Sequence, residues 1–365
     1  MGSIYGKLIQ HWERRLVARD PHRYRREFDW GWQWLRRTPI DGLPPRLTAP
    51  LAVEAGLPLL EAWSRRAIAA GEDFFSAPAV TDYRLEPGEP EAGRKRATFR
   101  LTFTSAARSG DRNNDRVVAR WLPAQAGPGG RRRAVVILPQ WNADAEGHIA
   151  LARGLQRFGI SALRLSLPWH DERKPAGFER AEYAVDSNLG RTIHAARQAV
   201  CDTRAACDWL EREGYESLGI LGTSLGSCYA LLAAAHDRRL RAAVFNHISL
   251  WFGDVVGSGL ATRHVRESLP AALDDSALRR AWSAISPASY LARLAEREQQ
   301  RRLLIWARYD LTFLPEYSRQ VVAEFRRLGL RHEERVLPCG HNTTGQAPFK
   351  FLDGFWMVKF LLQAL

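Results

Sequence analysis

Short continuous apolar runs alternate along residues 134–362 with segments in which apolar residues recur every three or four positions. The continuous runs predict buried strands at 134–138, 160–167, 218–223, 240–245 and 303–307. A last strand is predicted at 332–337. The recurring positions predict helices at 149–158, 189–213, 317–328 and 349–362. Continuous apolar strands that alternate with helices predict an α/β fold, in which a mostly parallel central sheet is covered by helices on both faces.

Upstream of this alternation the pattern is different. Residues 97–104 and 117–122 lie on either side of a polar turn and alternate with period two, which predicts an antiparallel pair that opens the sheet. Residues 1–78 are rich in tryptophan among arginine and leucine, which predicts a helical extension. We expect its aromatic side chains to pack on the main domain, residues 79–365; the alternative is that it forms a wall of a substrate pocket.

One long segment interrupts the alternation between the strands near 245 and 303. It spans about 55 residues, and a structureless loop of that length is unusual in a compact domain. Trp251, Trp282 and Tyr290 lie within it. We therefore predict a helical cap insertion over about 248–300.

The chain of 365 residues carries a formal net charge of +13. Its tightest basic clusters, at 94–96, 131–133 and 301–302, each directly precede an apolar run, as solvated residues at strand entrances do. No nucleic-acid-binding motif accompanies the charge. A solvated basic surface is therefore favoured over a functional anion-attracting one, and we expect no nucleic-acid partner.

Compartment and membrane association can also be judged from the sequence. No apolar stretch approaches the ~20 residues that a membrane span needs, and the N-terminal residues lack the uninterrupted apolar segment of a secretory signal. The four cysteines show no CxxC spacing. Such cysteines are typical of a reducing compartment, so we expect a cytoplasmic protein.

The candidate chemistry begins at the run 218–223, which leads into Gly222-Thr223-Ser224-Leu225-Gly226 and then into a helix-compatible segment. Gly-x-Ser-x-Gly between a strand and a helix is the pattern of a nucleophile elbow, which lifts the serine hydroxyl above the edge of a sheet. Glycines flank the serine because the strained backbone tolerates no large side chain close by. The pentapeptide alone is a weak signal, so its context carries the prediction.

The order of elements, with this elbow after the fifth core strand and the insertion after the sixth, resembles the alpha/beta-hydrolase superfamily over residues 80–365. The elbow is most similar to those of prolyl-oligopeptidase-like and dienelactone-hydrolase-like esterases. This resemblance implies a triad in the chain order serine, acid, histidine. It places the acid at Asp310, after the run at 303–307, and the histidine at His341, after the run at 332–337.

These three residue types suit acyl transfer. The serine hydroxyl is a poor nucleophile at neutral pH, so His341 would take its proton as Ser224 attacks. Asp310 would fix the tautomer of the imidazole and stabilise the imidazolium. Asp254 is the alternative acid if Asp310 proves dispensable.

The resemblance also implies an oxyanion hole of two backbone amides. One is the amide of Leu225, directly after the nucleophile. The other belongs to the loop after the strand at 134–138, where Trp141 is preferred and Gln140 is the alternative. That loop lacks the His-Gly-Gly-Gly motif of hormone-sensitive-lipase-like esterases, which disfavours that branch.

Further side chains are candidates for the substrate pocket. Trp169 and His170 follow the strand at 160–167, and Trp251 lies at the start of the insertion. Two carboxylates follow His170, but no second ligand cluster and no HExxH motif exist, so we expect no metal and no cofactor. A thiol nucleophile is not supported, because the elbow holds serine.

The sequence thus predicts a serine hydrolase that cleaves a carboxylic ester through an acyl-enzyme. Its substrate would be a small-molecule ester with an apolar part. Thioesters and amides use the same machinery, so a thioesterase, an amidase or a peptidase are alternatives. A protein of this fold that binds a ligand or partner without turnover is a further alternative, and the oligomeric state stays open.

Overall fold

Nine strands form one mixed sheet in the computed structural model of the protein, which describes residues 3–19, 23–45, 47, 51–88, 97–125 and 130–365. The strands are β1 (Arg84–Pro87), β2 (Phe99–Thr104), β3 (Arg116–Leu122), β4 (Arg133–Leu138), β5 (Ser161–Leu165), β6 (Ser217–Thr223), β7 (Leu240–Asn246), β8 (Arg301–Ala307) and β9 (Glu333–Leu337). Their spatial order is β1-β2-β3-β5-β4-β6-β7-β8-β9. Strands β1, β2 and β3 pair antiparallel, β3 meets β5 antiparallel, and the remaining pairs from β5 to β9 are parallel.

The helices of the described residues connect and cover these strands. They are α1 (Ile4–Ala18), α2 (Trp32–Leu35), α3 (Val53–Ala69), α4 (Gly71–Phe74), α5 (Arg112–Asp115), α6 (Ile149–Arg157), α7 (Leu189–Arg212), α8 (Leu225–His236), α9 (Phe252–Ser258), α10 (Arg263–Arg266), α11 (Asp275–Ala281), α12 (Leu291–Ala295), α13 (Pro315–Arg327) and α14 (Phe349–Ala364). The predicted α/β fold class is confirmed. Strand β1 was not predicted, because its residues are exposed and show no apolar alternation.

Alternate residues of each central strand supply the two faces of the sheet, as the pleat requires. On β4, Val135 and Ile137 face a core that contains side chains of α1, α6 and α14. Ala134, Val136 and Leu138 face the opposite core, with α7, α8, α13 and the N-terminal helices α2 to α4. The sheet is therefore covered on both faces, which explains why its strands read as continuous apolar runs.

The N-terminal residues pack closely on the rest of the chain. Trp30 and Trp63 are buried, and Trp34 makes an edge-to-face contact with Trp169 at 6.1 Å. Gly31 has a positive φ of 71° and touches Gly190, where a Cβ would lie 2.1 Å from the Gly31 carbonyl oxygen. This contact holds the segment against the start of α7.

The segment over 248–300 contains α9, α10, α11 and α12. Its aromatic side chains pack against one another: Trp282 is fully buried and contacts Phe252 edge-to-face at 5.5 Å. Trp282 also donates from Nε1 to the Leu189 carbonyl oxygen, outside the segment. Arg280 pairs with Glu61 of α3 at 2.6 Å. The segment is thus attached to the N-terminal helices as well as to the start of α7.

The basic clusters differ from one another in the structure. Arg131 and Arg301 are exposed, as predicted for a solvated surface. Arg302 contradicts that prediction, because it is 3% exposed and donates to the carbonyl oxygens of Leu294 and Arg297. The cluster at 94–96 lies outside the described residues. None of the described helices is both long and apolar enough to cross a membrane.

Candidate active site

Ser224 lies in the predicted tight turn between β6 and α8. Its backbone has φ 57° and ψ −120°, a region that residues other than glycine rarely adopt. A Cβ on Gly222 would lie 2.1 Å from the Gly226 carbonyl oxygen, and one on Gly226 would lie 2.2 Å from the Leu138 carbonyl oxygen. Both flanking positions therefore require glycine, and the elbow is packed directly against the end of β4.

The carboxyl ends of the parallel strands bring four distant segments together. Ser224, His247, Asp310 and His341 follow β6, β7, β8 and β9, which are consecutive neighbours in the sheet. Ser224 Oγ lies 3.0 Å from His341 Nε2, and His341 Nδ1 lies 3.0 Å from Asp310 Oδ2. The three residues that the sequence singled out as a triad are thus within hydrogen-bond distance of one another.

Asp310 is held from both sides. Its Oδ1 accepts the backbone N–H groups of Thr312 and Phe313 at 2.7 and 2.8 Å, which fixes the carboxylate in the loop after β8. Burial alone would raise the pKa of Asp310, but the charge of His341 and the hydrogen bonds from both histidines hold it well below its usual range. Asp310 is therefore a stable anion at the centre of the site.

The charge of Asp310 acts mainly on His341. Burial alone would lower the pKa of His341, but the charge of Asp310 and the hydrogen bond to it raise it above the ordinary histidine value. The ring of Phe313 stacks on His341, with a centroid distance of 5.3 Å and an angle of 6°. The imidazole therefore has a fixed orientation and an increased affinity for a proton.

His247 is a second histidine on the same carboxylate oxygen. Its Nδ1 lies 2.9 Å from Asp310 Oδ2, its side chain is 1% exposed, and its Nε2 has no hydrogen-bond partner among the described residues. Burial lowers its pKa, and the hydrogen bond to Asp310 only partly offsets this. His247 lies two residues past the apolar run at 240–245, and nothing in the sequence around it indicates its contact with Asp310.

The candidate oxyanion amides meet at the elbow. The N–H of Leu225 is the first of α8, where an amide has no partner within its own helix. Neither it nor the N–H of Gln140 or Trp141 donates to another of the described residues. All three residues line one cavity together with Ser224. The geometry is compatible with the predicted oxyanion hole and leaves both Trp141 and Gln140 available.

The loop after β4 is fixed by hydrogen bonds to its neighbours. Trp141 Nε1 donates to the Ala181 carbonyl oxygen at 2.8 Å, and the N–H of Ala181 donates to Asn142 Oδ1 at 2.8 Å. The N–H of Asn142 donates to His170 Nε2 at 3.1 Å. Because His170 Nε2 accepts, its Nδ1 carries the proton and donates to Pro168, in line with burial lowering the pKa of His170 to about 4.

The predicted pocket residues lie elsewhere. The cavity that contains Ser224 has a volume of about 910 Å³, and Trp169, His170 and Trp251 are not among the described residues that line it. Trp169 is 2% exposed and packs on Trp34 and Tyr183. His170 supports the loop after β4, and Trp251 immediately precedes α9. The end of a strand places Trp169 and His170 near the edge of the sheet, and the insertion places Trp251 near the strand ends, but neither position fixes the direction of a side chain.

The other groups considered as reactive have structural surroundings. Asp254, the alternative acid, is bound on both carboxylate oxygens by Arg279. The four cysteines are buried free thiols, and burial raises the pKa of Cys228, which lines the cavity, to about 12. A thiol with so high a pKa is a poor nucleophile near neutral pH.

His247, Asp310 and His341 also form a group whose ligand atoms lie within 4.8 Å of one another, close enough to be tested as a metal site. Both Nδ1 atoms lie about 3 Å from the same oxygen, which is the distance of a hydrogen bond. Zinc would need ligand distances of about 2.0–2.2 Å to each atom. The arrangement fits a hydrogen-bonded triad better than a metal centre.

A buried glutamate of the N-terminal helix holds the loop that carries His341. Glu13 of α1 is fully buried, and its carboxylate accepts the N–H of Asn342 at 2.9 Å and the N–H of Thr343 at 2.6 Å. The Asn342 side-chain amide donates to it as well. Sequence reasoning missed this contact, although Glu13 shares its helix face with Ile9 and Val17, where a charged residue is unexpected.

We expect Glu13→Gln to loosen this loop. The amide nitrogen of glutamine would face backbone N–H groups that now meet a carboxylate, so the free energy of unfolding should fall by about 2–3 kcal/mol. Displacement of His341 should lower kcat about 10- to 100-fold. Urea unfolding and steady-state kinetics measure the two effects, with Glu54→Gln on the exposed face of α3 as the control. Wild-type kinetics and stability in Glu13→Gln would show that the contact does not position His341.

Comparisons with known proteins agree with the architecture. Residues 118–250 match the sequence model of the family described as "Alpha/beta hydrolase domain containing 18". The structure of an acetyl xylan esterase from Paenibacillus sp. R4 is similar to this chain, with 16% identity, a TM-score of 0.57, and coverage of 92% of this chain and 99% of that one. Acetyl xylan esterase 1 from Thermoanaerobacterium sp. JW/SL YS485 has the same identity and coverage and a TM-score of 0.55.

A Pyrococcus horikoshii acylaminoacyl peptidase is also similar, with 12% identity, a TM-score of 0.54, and coverage of 75% of this chain and 48% of that one. No curated protein sequence matches the chain significantly. At these identities the structural likeness establishes the fold, and any activity has to be argued from the site itself.

Proposed function

We propose that this chain, which has the alpha/beta-hydrolase fold, is a serine hydrolase that cleaves a carboxylic ester through an acyl-enzyme. The observation that carries the proposal is the continuous contact from Ser224 Oγ through His341 to Asp310, with 3.0 Å at each step. Ser224 reaches a cavity of about 910 Å³, so a substrate can approach it. Among the similar structures, the two acetyl xylan esterases align with 92% of the chain and the acylaminoacyl peptidase with 75%, so an ester is the first substrate class to test and an amide is the second.

Acylation follows from this geometry. Ser224 Oγ attacks the carbonyl carbon while His341 Nε2 takes the hydroxyl proton, and Asp310 stabilises the imidazolium that forms. The negative oxygen of the tetrahedral intermediate is stabilised by the Leu225 amide and by the amide of Trp141 or Gln140. When the intermediate collapses, the bond to the alcohol oxygen breaks and His341 returns its proton to that oxygen.

Deacylation repeats the sequence with water in place of serine. His341 Nε2 takes a proton from the water as its oxygen attacks the acyl carbon, and the same amides bind the new oxyanion. The bond to Ser224 Oγ then breaks, and His341 donates the proton back to Ser224. The products are a carboxylic acid and the free enzyme.

His247 is proposed as a positioning residue in this cycle. As a neutral imidazole it donates Nδ1–H to Asp310 Oδ2, next to the hydrogen bond from His341. Oδ2 therefore accepts two hydrogen bonds, and Oδ1 accepts two from the backbone N–H groups of Thr312 and Phe313. The carboxylate cannot rotate without losing hydrogen bonds. Because burial lowers the pKa of His247 while His341 has a raised pKa, the proton of the cycle stays on His341.

The proposal is tested by exposing the folded protein to a small fluorophosphonate and measuring its intact mass. We expect one adduct on the wild type and none on Ser224→Ala, since only a serine activated by a base reacts readily with this reagent. Turnover of matched ester, thioester and amide substrates should then be fastest for the ester. A folded wild-type protein that acquires no adduct would overturn the proposal and favour a protein that binds its ligand without turnover.

A further inference from the structure

The cavity around Ser224 extends from the segment over 248–300, which we call the cap, to one face of the sheet. On the cap side its walls include Phe252, Val255 and Val256 of α9. On the other side it extends between α6 and α14, where its lining consists of Ala150, Leu151, Gly154, Lys350, Phe351, Asp353, Gly354, Met357 and Val358. We call this second part the α6–α14 arm. Along α14 its lining runs from Lys350 to Val358, which is eight steps of the helical rise, or about 12 Å.

Two glycines leave space in this arm that the fold does not require. Gly154 lies inside α6 and Gly354 inside α14, where glycine is destabilising relative to alanine. A Cβ on Gly154 would meet its nearest neighbour, Val358 Cγ2, at 3.9 Å, and one on Gly354 would meet Leu151 Cδ1 at 4.0 Å. Neither helix has a close approach or a positive φ at these positions that demands glycine. The absence of a side chain at these two positions therefore enlarges the cavity, and no local contact requires that absence.

The side chains around this space are mostly apolar. Leu151, Met357 and Val358 line it, and Phe351, which is 67% exposed, marks an end that reaches solvent. Asp353 is the acidic residue among the described residues that line the arm, and its Oδ1 has no partner among them. Burial raises the pKa of Asp353 to about 7, so it is uncharged in a large fraction of molecules at neutral pH. The Asn246 side-chain amide donates to Asp353 Oδ2 at 3.0 Å, so an uncharged Asp353 already has a partner within the protein and is compatible with a hydrocarbon occupant of the arm.

We propose that the α6–α14 arm binds an unbranched apolar chain of the substrate ester, so that the substrate class is esters with a chain of about eight carbons or more, extended along the 12 Å of α14. The inference rests on the proposed serine hydrolase function. The chain would lie between α6 and α14 with its ester group at Ser224, where the arm and the cap side of the cavity meet.

The test measures kcat/KM for p-nitrophenyl esters from acetate to dodecanoate, and for the acetates of the corresponding unbranched alcohols. Each methylene buried in the arm should raise kcat/KM about 3- to 4-fold, which amounts to about 100-fold from butanoate to octanoate. Gly154→Leu and Gly354→Leu should remove most of this preference by filling the arm. Ala323→Leu, the same kind of enlargement on the exposed side of α13, is the matched control and should retain it.

Two further readouts separate this inference from the proposed function. Labelling of Ser224 by a small fluorophosphonate reports an intact triad without using the arm. Binding of a fluorescent unbranched fatty acid to Ser224→Ala reports the arm without using catalysis, and Gly354→Leu in that background should abolish it. If the leucine variants fail to fold, Gly154→Ala and Gly354→Ala, whose Cβ atoms fit at ordinary contact distances, should show the same effect at smaller size.

The inference is overturned by a wild-type protein that is labelled at Ser224 but shows no chain-length preference in either ester series. It is also overturned if the leucine variants keep the preference of the wild type. Absence of labelling together with fatty-acid binding would instead support the arm and contradict the proposed catalytic function.

Discussion

Ser224→Ala should lower kcat about 10⁵- to 10⁶-fold on any ester that the wild-type protein hydrolyses, because no acyl-enzyme can form without the hydroxyl. The variant should fold normally, since the hydrogen bond of the Oγ atom among the described residues is with His341 and the strained backbone of the elbow tolerates alanine as well as serine. Single-turnover kinetics, with far-ultraviolet circular dichroism as a check on folding, measure both effects.

The matched control for this substitution is Ser276→Ala on the exposed face of α11. It removes a serine hydroxyl of the same kind outside the cavity and should leave kcat within twofold of the wild type, as surface substitutions generally do. If Ser224→Ala kept more than a tenth of wild-type kcat, the nucleophile would have to be another group, and the acyl-enzyme mechanism at Ser224 would be wrong.

Asp310→Asn should lower kcat about 10⁴-fold with the fold retained, because the neutral amide no longer selects the tautomer of His341 or stabilises its imidazolium. It should also move the pH dependence. Neutral His341 is the active form, so activity in the wild type is lost as the pH falls through the raised pKa of His341. Removing the charge of Asp310 lowers that pKa, and the acidic limb of kcat/KM should shift to lower pH.

The same pKa shifts make the stability of the fold depend on pH, and the contributions of His341 and Asp310 are lost in opposite directions of pH change. His341 has a raised pKa, so its pairing with Asp310 stabilises the fold fully below the ordinary histidine pKa, and this stabilisation is lost as the pH rises through the folded value. Asp310 has a lowered pKa, so its contribution is present above the ordinary aspartate pKa and is lost as the pH falls. The difference in unfolding free energy between the wild type and Asp310→Asn should therefore be largest between these limits.

His247→Gln is the variant that separates charge from positioning at Asp310. It removes one donor from Oδ2 and leaves the Ser224–His341–Asp310 contacts in place. If His247 positions the carboxylate, kcat should fall by much less than in Asp310→Asn, and the acidic limb should shift because Asp310 loses a hydrogen bond. A shift of the limb with no change in stability would argue for the positioning role; a loss of stability with an unchanged limb would argue for packing alone.

Much of the architecture could be predicted because it depends on local pattern. The apolar runs of β4 to β8 and the periodicity of α6, α7, α13 and α14 follow from burial of one face or both, and burial selects residue types along the chain. The elbow was visible for a similar reason. Glycine is required at 222 and 226 because a Cβ there would lie 2.1 and 2.2 Å from backbone carbonyl oxygens, and such a requirement is visible in the sequence.

The positions of Asp310 and His341 came from the resemblance together with the strand ends. In a parallel sheet the carboxyl ends of successive strands meet at one edge. A residue that follows a strand is therefore near the site whatever its distance along the chain. The same rule applies to His247, which directly follows β7. A strand end by itself, however, does not indicate the hydrogen bond between His247 and Asp310.

Other parts of the site depend on which segments pack together. The rule that located the triad placed Trp169 and His170 at the cavity, and the start of the insertion placed Trp251 there, but none of the three lies in the cavity lining. Glu13 reads as a charge in an amphipathic helix, and only the packing of α1 on the loop of His341 makes it a buried acceptor of three hydrogen bonds. Arg302 reads as a surface charge, yet it is buried among carbonyl oxygens.

By itself, then, the sequence determined the α/β-hydrolase architecture and the order in which its chemical groups reach one edge of the sheet, because burial and backbone strain act on neighbouring residues. Only the tertiary structure decided that a second histidine contacts Asp310, that Glu13 of α1 holds the loop of His341, and that the cavity extends between α6 and α14. These features arise from contacts between residues that lie up to 330 positions apart, and such contacts leave no periodic pattern along the chain.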